Sequence, residues 1–545
     1  MPSSPSDRAA GDPYAEVYDL AVIGAGCAGL AGAVTASERG LSVALLDTAG
    51  RIGGQFYRHP APAVGAVRPE ALHHDWSAFA GLRRRLGASD VVHLAGHHVW
   101  TVERHDGTDV RWTVHAVTGA DGDGERPVRV RARAVLLATG AYERQLPFPG
   151  WTLPGVVGAA GAQAMLKAGL VLPGGRVVVA GSGPLLLAVA ASLATAGARV
   201  PAVVEASGYL GYARRPAVLA ADPQKLAHAA IHGATLLARR VRLRTRSAVT
   251  QVHGTDRVEA VTVSRVDRDW RPVRGTGRQI VCDALAVGHG LVPQTELATS
   301  LGCATRRVRD GTYALALDPL QQTSVPGLWA AGETGGIGGA QLARAEGEIA
   351  GIAVAAHVRG GPGPQRDGRV RELQRRRERM RAFAGAMAAV HAPGKGWAEW
   401  LDDATEVCRC EEVTAGAVRE AVDAYGARDA RTVKLLTRAG MGWCQGRVCG
   451  AAVACLAAGQ GPLTPPPSPE RRPLAGPVPL GVLGALDANE PPATPATPAT
   501  PATPATPATP VTPATPATPA TPAVPDRAAG RPDASRPDGA AGLHD

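Results

Sequence analysis

Residues 20–47 read LAVIGAGCAGLAGAVTASERGLSVALLD: an apolar run, a glycine-rich turn, an alanine-rich stretch and a second apolar run ending on an acid. This pattern constrains the fold more tightly than anything else in the chain, because each glycine answers a separate demand. Gly24 permits a tight turn, Gly26 lets backbone approach a pyrophosphate, and Gly29 lets a helix pack close to its strand. The pyrophosphate then rests on a helix N-terminus, where free N–H groups and the macrodipole favour an anion. Asp47 stands 23 residues after Gly24, where a carboxylate accepts from a ribose hydroxyl. The reading is a strand–loop–helix–strand unit that binds a dinucleotide. Cys27, inside the loop, is expected to be a small filler rather than a redox thiol.

The design recurs at 176–205, RVVVAGSGPLLLAVAASLATAGARVPAVVE, with Gly181, Gly183 and a strand-end acid, Glu205. The third glycine is replaced by Leu186, whose side chain is expected to push helix from strand. The second unit therefore either holds an adenine nucleotide or is a structural domain without ligand. If it binds one, Glu205 favours NAD over NADP, because a carboxylate repels a 2′-phosphate.

The rest of the chain divides by composition. Residues 1–17 read as a flexible tail, 361–405 as a linker with a charged helix, and 406–460 as a compact Cys-bearing segment. Of the 45 prolines, 23 follow residue 460, and residues 492–524 repeat the triplet PAT. Pro at every third position forbids a helix ladder, and Ala and Thr carry too little apolar area for a core. An extended, disordered tail over 461–545 is expected.

Charge narrows the function classes little. The net charge is +10, but only four of the 58 basic residues are lysines, and aromatic residues make up 4%. A nucleic-acid groove interleaves basic residues with aromatics, so no nucleic-acid partner is expected. The two long uncharged stretches each carry a glycine turn that breaks a spanning helix, so no transmembrane segment is expected. With no secretory signal and few cysteines, the chain reads as soluble and cytoplasmic.

Two later motifs, ATG at 138–140 and WAAGE at 329–333, each end a strand in a turn where backbone can meet ligand. With the first loop they resemble the glutathione-reductase-like fold, an α/β flavoprotein with two dinucleotide-binding domains. The resemblance implies FAD at Gly24, Gly26, Gly29, Asp47, Gly54, Gln55, Thr139, Gly140, Gly332 and Glu333. Glu333 then sits at the flavin-side ribitol or phosphate; standing alone it reads equally well as a helix-capping carboxylate. The FAD domain is expected in two parts, 18–150 and 284–360, around an inserted NAD(P)-type domain, 151–283. Tyr57, Arg58 and His59 are expected to pack or contact phosphate rather than transfer protons. No CxxC follows the first domain, so disulfide reduction is not supported.

Cys408 and Cys410 are followed after 33 residues by Cys444 and Cys449. Four thiols in two close pairs suit a [2Fe–2S] cluster or a structural zinc. Each pair precedes an apparent helix whose N-terminal dipole would favour thiolates, and the spacing is unlike common zinc patterns. Cys455 is expected to be a core residue. The segment resembles the BFD-like [2Fe–2S] domain, which implies these four as ligands.

Taken together, GGQFYRHP (53–60), ATGAYERQLPFPGWTLPGVVGAAGAQ (138–163), AGSGPLLLAVA (180–190), AAGETGGIGG (330–339) and TRAGMGWCQGRVC (437–449) resemble the FAD-containing large subunit of bacterial amine and imino-acid dehydrogenases, of opine, proline or hydroxyproline type. The resemblance covers about 18–460. It implies an electron-relay subunit whose smaller FAD-dependent oxidase-like partner dehydrogenates the substrate; a small ferredoxin-like subunit is a further candidate partner. Two other readings stay open: a stand-alone NAD(P)H-dependent reductase, and a structural subunit that binds nucleotide without turnover.

Overall fold

The first apolar run forms β1 (Val17–Ile23), the alanine-rich stretch α1 (Cys27–Glu38) and the second run β2 (Val43–Asp47). Helix α2 (Trp76–Gly87) precedes β3 (Val92–Ala95), β4 (His98–Arg104), β5 (Trp112–Thr118) and the long β6 (Arg126–Leu137). Their order in the sheet is β3-β2-β1-β6-β5-β4. Strands β3, β2, β1 and β6 run parallel, and the β6-β5-β4 edge is antiparallel. The structure is a computed structural model that describes residues 12–106, 110–119, 124–214, 216, 223–361, 363–458 and 474–486.

A second sheet follows, built from β7 (Val156–Gly158), β8 (Val177–Gly181), β9 (Ala202–Glu205), β10 (Arg242–Thr245) and β11 (Ala284–Gly288). All its pairings are parallel, in the order β10-β9-β8-β11-β7, and β11 carries this sheet beyond residue 283. Parallel strands need crossovers, and α3 (Ala159–Gly169), α4 (Leu185–Thr195) and α5 (Pro223–Ala238) lie between successive strands of the set. After α6 (Glu296–Ser300), a short β12 (Leu328–Ala330) returns to pair with β6, completing the first sheet. Helix α7 (Ala340–Val358) then packs along α1, glycine against glycine: a Cβ on Gly351 would stand 2.6 Å from the Gly32 carbonyl oxygen.

Helix α8 (Gly368–Val390) crosses α7, and three short helices, α9 (Ala415–Asp423), α10 (Ala430–Thr437) and α11 (Gly450–Ala457), carry the cysteine segment. That segment shares one core with the second sheet: Trp151, Val178 and Val204 belong to the same buried cluster as Val407, Val418 and Val453. No helix among the described residues is long and apolar enough to cross a membrane.

Two stretches read as tail are built into the fold. Tyr14 is half-buried with its hydroxyl 2.9 Å from His97 Nε2, and Val17 already belongs to β1. Residues 474–486, including α12 (Leu480–Gly484), lie on the antiparallel edge, where Val482 is buried with Trp100 and Val117. Apolar side chains set among the prolines give this segment area to bury, which Ala and Thr do not supply. The PAT repeat lies outside the described residues.

Candidate functional site

Strands β1, β2, β6 and β12 are mutually parallel, so the residues that follow them collect at one sheet edge. Gly24, Gly26, Asp47, Thr139, Gly140, Gly332 and Glu333 all stand there. Gly24 has φ +107°, and a Cβ on it would stand 2.4 Å from the Ala138 carbonyl oxygen. A Cβ on Gly29 would come within 1.7 Å of the Gly24 carbonyl oxygen, so no side chain fits. Helix α1 starts at this loop with neither a side-chain cap nor an acid in its first turn. Its leading N–H groups are the donors that an anion satisfies.

Other members of the edge are held by backbone. Asp47 accepts from Ala25 N at 2.5 Å and Ala49 N at 2.7 Å, with lone pairs to spare for a hydroxyl. Gly54 lies against the loop, its Cβ position 2.8 Å from Gly26 Cα, and Gln55 beside it is exposed. Thr139 donates to the Gln294 carbonyl at 2.9 Å. Glu333 accepts from Gly338 N at 2.7 Å and Gly339 N at 2.9 Å, just before α7, and burial pushes its carboxyl up. The carboxylate thus closes the turn that leads into α7 rather than capping the helix's own first N–H groups. Burial also pushes the Cys27 thiol up to about 12, as suits a filler. Tyr57 is fully buried and stacked on Phe79 at 4.8 Å.

Several residues at this edge escaped the motif reading. Glu346 of α7, fully buried, accepts from Gly332 N and pairs with Arg377 and Arg381 of α8 at 3.0 and 2.7 Å. Arg381 also donates to the Gly336 carbonyl, and Arg306 to that of Gly335 at 2.6 Å. The late loop is thus fixed from beneath by an ion-pair network. The available signal was the i, i+4 spacing of Arg377 and Arg381. Lys167 of α3, almost fully buried, donates to the Phe56 carbonyl at 2.8 Å, and burial lowers its amine to about 8.

The second loop repeats the first with differences. Gly181 has φ +131°, and a Cβ there would stand 1.7 Å from the Gly288 carbonyl oxygen. Leu186 does not force the helix away; it is buried with Val177, Val179 and Val203 as part of the core between α4 and the sheet. Glu205 is fully buried and accepts from Gly183 N and Ser207 N, both at 2.9 Å. Gly183, the counterpart of Gly26, thus gives its N–H to the acid, whereas Asp47 takes its bond from Ala25.

Cys408, Cys410, Cys444 and Cys449 all line one cavity of 520 Å³, shared with Glu143, Trp151 and Val287. Among the described residues, no group of three or more His, Cys, Asp or Glu side chains is placed to hold a single metal ion. The thiols come instead as two contacting pairs, Cys410 with Cys444 and Cys449 with Cys408. Burial and then the charge of Cys408 push the Cys449 thiol up. Cys410 is exposed; a backbone hydrogen bond with Cys444 lowers its thiol, but slight desolvation and the Cys444 side chain outweigh it and leave it raised. Gly440 N lies 3.5 Å from Cys408 Sγ, and Gly442 leaves room for Cys410, whose Cβ is 2.2 Å from where its own would be. Four thiols gathered at one cavity supply the donor set of a centre with two irons and two thiolates to each. Cys455 is buried in the core, as expected.

A separate cavity of 480 Å³ opens beside the loop after Asp47, between Gly50, Arg51, His59 and α2. Glu143 accepts from Ala160 N at 2.9 Å at the start of α3, and burial raises its carboxyl to about 7.

Residues 18–347 match the pyridine nucleotide-disulphide oxidoreductase family, and residues 406–458 match the BFD-like [2Fe-2S] binding domain. Hydrogen cyanide synthase subunit HcnB of Pseudomonas aeruginosa is 34% identical over 436 residues, 78% of this chain and 90% of the relative. The A-subunit of opine oxidase from Agrobacterium tumefaciens is 35% identical over 447 residues, 80% of this chain and 85% of the relative. L-proline dehydrogenase from P. horikoshii has a similar fold, with a TM-score of 0.59 at 21% identity over 86% of this chain and 79% of that one.

Proposed function

The chain belongs to the pyridine nucleotide-disulphide oxidoreductase family, and on that premise we propose that it is the electron-relay subunit of a hetero-oligomeric amine or imino-acid dehydrogenase. One observation carries the reading: a glycine-lined dinucleotide edge and a four-thiol cavity lie in a single compact unit. FAD, when bound, supplies the exchange between two-electron and one-electron transfer. The chain's residues bind and orient. The N–H groups opening α1 take the diphosphate, Asp47 accepts from the ribose, and Gly24, Gly26, Gly29 and Gly54 keep the cradle free of side chains. Thr139, Gly140, Gly332 and Glu333 border the flavin end, and Cys408, Cys410, Cys444 and Cys449 hold the cluster. Dehydrogenation of the C–N bond belongs to a smaller flavoprotein partner, so the reading requires no acid–base residue here. Relatives named as subunits support the assembly, and a small ferredoxin-like subunit is the further partner this reading admits.

The test uses the full chain, reconstituted with FAD, iron and sulfide. Flavin absorbance should bleach with an amino or imino acid only when the smaller flavoprotein is added. Cys444→Ala should abolish the cluster's visible absorbance and its reduced-state EPR signal while leaving the flavin in place. Zinc without iron or acid-labile sulfide would reject the cluster. Rapid bleaching by NADH alone would replace the relay with a stand-alone reductase.

A further inference from the structure

The acid of the second dinucleotide fold does not face solvent. Glu205 ends β9 with no exposed surface, and both of its oxygens already accept backbone N–H groups from Gly183 and Ser207. Over it lies His391, the residue that ends α8, with Nδ1 3.4 Å from Glu205 Oε1. Tyr212 holds the imidazole from the other side, hydroxyl to Nε2 at 2.9 Å, and Tyr209 stands edge-on to it at 5.9 Å. The Ser182 hydroxyl, in the glycine loop itself, lies 3.2 Å from the His391 carbonyl oxygen. Gly211 lies close beneath Val390, so this cover is packed as well as hydrogen-bonded.

In a parallel sheet of this order, a dinucleotide lies across the strand ends with its adenosine ribose on the acid of the second strand. That position is where the imidazole and phenol stand. A ribose could reach Glu205 only by displacing the buried imidazole, the half-buried phenol and the hydrogen bond between them. The N–H of Gly183, which a diphosphate would otherwise take, is also committed to the acid. Both Glu205 oxygens and the Gly183 N–H are already satisfied, which leaves a ribose or diphosphate little to gain at this acid.

We propose that the second dinucleotide fold is closed in cis, with His391 and Tyr212 as specificity-determining residues that exclude nicotinamide nucleotides from this chain. Resting on the relay reading, reducing equivalents then enter from a protein partner and never from NAD(P)H. The fold keeps its motif and serves as the wall on which the cysteine segment packs.

Binding is the readout, so the test does not depend on flavin or cluster loading. The full chain is titrated with NADH and with NADPH, followed by nicotinamide fluorescence and calorimetry. Wild type should show no saturable binding up to about 1 mM, the top of the usual KM range. A His391→Gly, Tyr212→Ala double variant, with unchanged circular dichroism, should gain saturable NADH binding at least tenfold tighter than that limit. Tyr212→Phe keeps the ring and should remain closed. Stoichiometric NADH binding by wild type, lost in Glu205→Gln, would overturn the proposal. So would a folded double variant that gains no binding.

Discussion

The two dinucleotide folds of this chain have the same strand–loop–helix–strand plan and opposite interiors. In the first, the loop glycines leave space and Asp47 keeps accepting capacity, so the edge can receive a ligand. In the second, Leu186 fills the space beneath α4, and Glu205 is buried under His391. Two loops thus diverge through what covers the acid and what replaces one glycine. A motif states what backbone can do, and the surrounding side chains decide whether a ligand ever reaches it.

The largest effect that would break this comparison is at the third loop position. Gly29→Val drives a side chain into the Gly24 carbonyl and should abolish flavin retention entirely, measured by absorbance of the purified protein. At the counterpart, Leu186→Ala should leave flavin in place and cost about 2–4 kcal/mol in denaturant unfolding, the usual scale for a cavity in a core. Equal flavin loss from both would mean that the second fold also carries flavin.

A smaller effect separates the supports of the two edges. Glu346→Ala removes the buried carboxylate that pairs with the half-buried Arg377 and Arg381 and should destabilise by about 3–5 kcal/mol. Flavin should be lost with it, since Gly332 loses its acceptor and Arg381, which holds the Gly336 carbonyl, loses its carboxylate partner. Full stability with tight flavin would show that the ion-pair network is dispensable.

The smallest effect is a pH dependence in the second fold. Glu143 is held at about 7 rather than the ordinary 4.5, so the folded chain binds that proton more tightly than the unfolded chain. Its contribution is complete below pH 4.5 and is lost as pH rises through 7. The size is on the order of 3 kcal/mol. Glu143→Gln should flatten unfolding stability across that window; an unchanged pH profile would reject the assignment.

How much of this could be read in advance depends on sequence distance. The glycine loops, Asp47 and the cysteine quartet are local patterns, and each lies where its spacing places it. Glu333 was legible only as two alternatives, because the N–H groups it accepts, Gly338 and Gly339, belong to a turn whose shape the letters do not state. Glu346 and Arg381 stand 35 residues apart, and Glu205 and His391 stand 186 apart. Such pairs form only when helices cross, and no periodicity announces them. Leu474, Val478, Val482 and Leu486 did carry a signal, hidden by the proline-rich composition around them.

Arg447 lies between Cys444 and Cys449 and is tied at both ends of its guanidinium. It pairs with Glu296 of α6 at 3.1 Å and donates to the Ala475 carbonyl at 2.5 Å. On the proposed reading, a cysteine loop fastened this way has less conformational freedom left to lose, so cluster insertion orders less backbone. The affinity of the sulfur site therefore depends in part on a segment beyond the cysteines, and a chain cut before residue 474 would load its cluster more weakly although every thiol is present.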